Sequence, residues 1–153
     1  MKQLFAAALL SCAAFASIAQ APAIAVDGAW ARASVQGQRG TGAFMKLTAR
    51  EELTLVGVAS PVAGVAEIHE MKMENDVMRM RAIDKLALPA GKPVELSPGG
   101  FHIMLMDLKA PLAKDTTIPV TLLVRNAKGA QSRIELKVPV SARAPQGQAG
   151  HKH

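Results

Sequence analysis

The 153-residue sequence has no tyrosine, one tryptophan, four phenylalanines and a single cysteine, Cys12. One cysteine excludes an intrachain disulfide and any multi-cysteine metal site. Beyond the N-terminal segment no run approaches the ~18–20 apolar residues of a membrane span. Acidic residues are the minority, 12 against 18 basic, for a formal net charge of +6. The basic residues are interleaved with acids, which argues against a nucleic-acid surface. There is no nucleophile-elbow motif, no phosphate-cradling glycine loop and no carboxylate pair with evident geometry, so an enzyme is not expected. With 50% apolar and 20% charged residues, the chain is not wholly disordered. Its length is that of one domain.

The first 25 residues read as an address. Met1-Lys2 gives a positive start, and Leu4 to Ala16 is apolar apart from one serine and Cys12. Small residues follow, so residues 1–25 are expected to be a secretory signal peptide cut after Ala25, with Ala19 as the alternative cut. Lipid attachment at Cys12, after Leu9-Leu10-Ser11, is a further alternative, although eleven residues before the cysteine is short for it. Export to the periplasm follows.

Residues 26–140 read as all-β. Ile134, Leu136, Val138 and Val140 alternate with Arg133, Glu135, Lys137 and Pro139. Further strands are expected at Gly42–Thr48, Leu53–Ala59, Val65–Met73, Val77–Ile83, Phe101–Leu108 and Ile118–Arg125. Seven to nine short strands in ~120 residues predict a sandwich or Greek-key barrel. Residues 141–153 read as a mobile tail ending in His151-Lys152-His153.

Methionine is what the chain has in excess. Seven methionines follow the signal segment, six of them in two short stretches that each contain one histidine. In a strand, alternate residues share a face. His69, Met71 and Met73 therefore point one way, and Met78 and Met80 share a face on the next strand. A two-residue turn at Asn75-Asp76 pairs Met73 with Met78 and Met71 with Met80, and sets His69 diagonal to Met80. His102, Met104 and Met106 share a face by the same rule. Thioether and imidazole together suit Cu(I), a soft cation. Zinc prefers thiolate, imidazole or carboxylate, and calcium and magnesium want oxygen. Methionine is also an ordinary core filler, and Met45, Met78 and Met106 are read as core or rim packing. Met71 and Met73 are left open.

The spacing His69, ten residues, Met80, twenty-one residues, His102, one residue, Met104 resembles the ligand signature of the periplasmic copper chaperones called PCu(A)C. The flanks Val77-Met78-Arg79-Met80-Arg81 and Gly99-Gly100-Phe101-His102-Ile103-Met104-Leu105-Met106 resemble that family too, as do Ala29-Trp30-Ala31-Arg32 and Phe44-Met45, more loosely. Phe44 and Val124 depart from it at positions where Tyr and Phe are common. The resemblance implies a cupredoxin-like β-barrel or sandwich without the blue-copper cysteine. It implies Cu(I) held by His69, Met80, His102 and Met104. It also implies delivery to the Cu(A) centre of cytochrome c oxidase subunit II, in some members with a thiol-bearing co-chaperone. His151 and His153, with Met71, form a candidate second site for Cu(II), which favours nitrogen. The protein is expected to act as a monomer. The competing readings are a copper-buffering or resistance protein without a dedicated acceptor, and a Met-rich interaction module.

Overall fold

The computed structural model describes residues 23–145. The signal segment up to residue 22, with Cys12, and the tail histidines His151 and His153 lie outside the described residues. All ten elements described are strands: β1 (Ile24–Arg32), β2 (Gly40–Ala49), β3 (Leu53–Ala59), β4 (Ala63–Glu74), β5 (Val77–Ile83), β6 (Leu86–Leu88), β7 (Pro93–Leu96), β8 (His102–Leu108), β9 (Thr117–Asn126) and β10 (Gln131–Ser141). They hydrogen-bond in the order β5-β4-β8-β2-β1-β10-β9-β3-β6, with β7 also on β2, and the sheet does not close.

Two halves of this sheet share one hydrophobic core. Leu47, Ile103 and Leu105 come from the first, and Leu55, Val120, Leu122, Val124 and Val138 from the second. The join is the parallel pairing of β1 with β10, Ala31 against Val140. The alternation read in β10 is what the core selects: Val138 and Val140 are buried, while Lys137 and Pro139 are exposed. The turn back from β9 is fixed by Asn126, whose Oδ1 accepts from the amides of Lys128 and Ala130.

All seven expected strands are present. The total reaches ten because β1, β6 and β7 join them. β6 and β7 are three and four residues long, too short to show a period. β1 carries a register shift between Asp27 and Trp30, which spoils its alternation.

The edge of β2 positions the site. Its first half, Gly40–Ala43, pairs with β8, and its second, Met45–Thr48, pairs with β7. Between β7 and β8 the chain leaves that edge in a tight turn, Ser97–Gly100, with Gly99 at a φ of 87°. That detour turns the Gly100 carbonyl toward β4, where it accepts the Met71 amide at 3.2 Å.

Ile24 is buried in the core, and Ile24 and Ala25 pair with Ala49 and Thr48. A cut after Ala25 would remove both, whereas a cut after Ala19 keeps them. Burial of one isoleucine is worth about 1.5–3 kcal/mol. A chain starting at Val26 is therefore expected to be less stable by about that amount than one starting at Gln20, as measured by urea denaturation. Equal stabilities would contradict this packing.

Candidate metal centre

The site forms where β4, β5, β8 and β2 lie side by side. β4 and β8 pair so that His69 stands directly opposite His102, and Glu67 opposite Met104. β4 and β5 pair Met71 with Met80 and Met73 with Met78. This is the register expected for a two-residue turn. Asn75 and Asp76 adopt φ values of 50° and 62°, the left-handed conformation such a turn requires. On β2, Gly42 lies opposite Met104.

Both histidines are buried, His69 at 7% and His102 at 6% exposure, with ring centroids 5.8 Å apart. Their hydrogen bonds assign their tautomers. The His102 Nδ1–H donates to the Gly100 carbonyl at 3.1 Å. A neutral ring carries one hydrogen, so Nε2 presents a lone pair. It faces the Met80 sulfur at 3.2 Å. Two lone-pair atoms thus stand at close range with no hydrogen to share. Two ligands of one first-row metal at tetrahedral angles, ~2.0–2.1 Å for nitrogen and ~2.3 Å for sulfur, would be roughly 3.5 Å apart. Burial lowers the His102 pKa; the Gly100 hydrogen bond opposes this and the nearby His69 adds to it. The ring therefore stays neutral, as a metal ligand must.

A neutral His69 ring, the form a metal ligand must have, carries its hydrogen on the other nitrogen. Nε2–H donates to Glu67 Oε2 at 2.8 Å, because a carboxylate only accepts. Nδ1 then holds the lone pair, and it is buried with no hydrogen-bond partner. Such an orphan costs about 1–3 kcal/mol unless something satisfies it. A metal ion would.

A shallow cavity of about 290 Å³ opens over Met80, His102 and Met104, with Met71, Phe44 and Arg32 also in its wall. Of the four predicted ligands, three thus line one cavity. His69 is not in its wall; it stands on the adjoining strand, paired with His102. Met45 is core, as expected, and Met106 is half-buried. Met78 is not in the core: it is 45% exposed.

Three features were not found in the sequence. The first is Glu67, two residues before His69 on the same face; that spacing was the available signal. The second is the stack behind His102. Phe44 lies with its ring centroid 6.3 Å from His102 and 4.7 Å from Trp30. The Arg32 guanidinium lies over both rings, 5.9 Å from Trp30 and 5.6 Å from Phe44. A fixed positive charge at the cavity wall repels a divalent cation twice as strongly as a monovalent one. The third is Gly42. A Cβ there would meet the Phe44 ring at 2.6 Å, so the bare backbone is what lets that ring fold back.

Among the described residues no group of three or more His, Cys, Asp or Glu could hold a metal.

A family model described as "Putative lipoprotein LpqE-like" matches residues 24–140. A relative from Leifsonia xyli subsp. xyli, "Putative lipoprotein Lxx21020", is 36% identical over 120 residues, covering 78% of this chain and 71% of the relative. Among solved structures, the copper-bound PCuAC domain from PmoF2 superposes with a TM-score of 0.62 at 21% identity, covering 82% of this chain and 97% of that one. The solution structure of Cu(I)-DR1885 from Deinococcus radiodurans gives a TM-score of 0.59 at 30% identity, covering 81% and 82%. The fold is therefore the cupredoxin-like β fold of PCuAC domains.

Gly42→Ala is expected to displace the Phe44 ring and cost about 1–3 kcal/mol, the usual range for overpacking. Thermal or urea melts check the stability, and emission from Trp30, the only tryptophan, reports the stack. Unchanged stability and emission together would contradict the packing described.

Proposed function

This chain belongs to the LpqE-like family, and from that premise we propose that it is a periplasmic Cu(I) chaperone of the PCu(A)C kind. One observation carries the reading: His102 Nε2 and Met80 Sδ face each other at 3.2 Å while the Gly100 carbonyl holds the ring at Nδ1. The partnerless His69 Nδ1 supports it. The ligands are His69 through Nδ1, His102 through Nε2, and the sulfurs of Met80 and Met104.

All four donors are neutral. They leave the single charge of Cu(I) intact and give a second charge nothing to compensate it, while soft sulfur favours the monovalent ion. Arg32 adds to the same discrimination. Gly100 and Glu67 hold the two rings in their tautomers, as outer hydrogen bonds commonly do at metal sites. Met80 is 49% exposed, so an acceptor can reach one sulfur before the buried imidazoles let go. Binding and hand-over, rather than catalysis, is what such a site offers.

The acceptor is the Cu(A) centre of cytochrome c oxidase subunit II, served with a thiol-bearing partner or alone by a monomeric chaperone. Export rests on the N-terminal segment, and the lipoprotein name of the relative supports it. The tail histidines His151 and His153, aided by Met71, would hold a second copper as Cu(II). Copper buffering is the rival reading. Mixing the loaded protein with an apo oxidase domain separates the two, since transfer is expected of a chaperone and retention of a buffer.

Competition against a Cu(I) chelator is expected to show one tight site, well below micromolar. Met80→Leu and Met104→Leu keep side-chain volume, so the fold should lose less than ~1.5 kcal/mol. Loss of a ligand sulfur should weaken binding at least as much as loss of an outer partner does, ~10–100-fold. Unchanged affinity in both variants would reject these ligands.

A further inference from the structure

The β4–β5 hairpin has two unlike faces, and neither is explained by packing on the core. One carries Glu70 and Arg81, paired in a salt bridge, with Glu74 and Arg79 at 3.9 Å. The other carries only thioethers beyond His69: Met71 against Met80, then Met73 against Met78. Met73 is 58% exposed and Met78 45%. β5 is the last strand of the sheet at this end, so among the described residues no further strand pairs beyond it.

Burial does not account for two large apolar side chains held out in water side by side. Coordination chemistry does. Directly opposed residues have Cβ atoms ≈ 4.5–5.5 Å apart, and methionine has three rotatable bonds with which to aim its sulfur. Both sulfurs can therefore reach one ion between them. Two neutral thioethers in water suit a soft monovalent cation and little else. The pair sits one same-face step, ~6.8 Å along the strand, from Met71 and Met80, which line the cavity beside His102.

We infer that Met73 and Met78 form a second, weaker soft-metal site at the hairpin tip, an outer landing for the ion of the buried centre. This rests on the Cu(I)-carrying reading above. The thioether row then runs from Met73/Met78 through Met71/Met80 to His102 and Met104. An ion can pass along it by exchanging one sulfur for the next, with no change in oxidation state and no step into bare water. The outer pair lacks imidazole and shelter, so it binds less tightly than the centre it feeds.

Ag(I), which is monovalent, soft and not oxidised in air, is the probe. The full chain carrying methyl-¹³C methionine is titrated and the methyl resonances are followed. The first equivalent should shift Met80 and Met104, and the second Met73 and Met78, with at least tenfold weaker affinity. In the Met73→Leu/Met78→Leu variant the second event should vanish, the first should keep its affinity, and loading of the centre should slow. Met73 and Met78 methyls that stay still while Met80 and Met104 shift would overturn this inference and leave the chaperone reading standing. A second equivalent that lands on the tail histidines would overturn it too. Shifts at Met73 and Met78 without any at Met80 and Met104 would sink the chaperone reading and the landing role with it, leaving an isolated thioether pair.

Discussion

The antiparallel pairing of β4 with β8 sets His69 across from His102, and the rest of the site is arranged round that pair. Two imidazoles at this range inside a protein, one with an orphaned nitrogen, are a poor arrangement for stability alone. The backbone nevertheless enforces it. Ile68 and Ile103, each adjacent to one of the histidines, are buried in the core, and strand alternation turns the rings to the opposite face. A slip of one residue in either strand would drive its imidazole into the core and its isoleucine out. The hydrophobic core thus holds the register, and the register holds the donors together.

The detour between β7 and β8 adds the second constraint. One carbonyl, that of Gly100, accepts from the Met71 amide and from His102 Nδ1. The same atom therefore ties the hairpin to the sheet and dictates which nitrogen of His102 is free. Glu67 does the corresponding work for His69 from within β4. The two rings end in opposite tautomers, each with its lone pair left over. The sulfurs come from more accessible positions, Met80 on the edge strand and Met104 beside Gly42. The arrangement is half rigid and half open, which suits cargo that must be held and then released.

What could be read from the sequence was local. The Asn75-Asp76 turn fixes the hairpin register by its own chemistry, so the Met71–Met80 and Met73–Met78 pairs followed from counting. The alternation of β10 followed from its apolar period. What escaped was set by distant contacts. Whether β4 lies beside β8, and at which residue, depends on how the whole sheet is ordered. The Trp30–Phe44–Arg32 stack joins two strands whose pairing is broken by a bulge. Gly42 reads as a weak strand residue until the ring of Phe44 is found lying where its Cβ would be. Met78 reads as core or rim packing because methionine usually is packing; its exposure on the edge strand excludes the core.

The central claim is that two nitrogens and two sulfurs meet at one monovalent ion. X-ray absorption at the copper edge of the reduced, singly loaded protein measures this directly. The account predicts a Cu(I) edge with two nitrogen and two sulfur scatterers in the first shell, falling to one sulfur in Met80→Leu. A first shell of nitrogen or oxygen alone, or one that Met80→Leu leaves untouched, would contradict it.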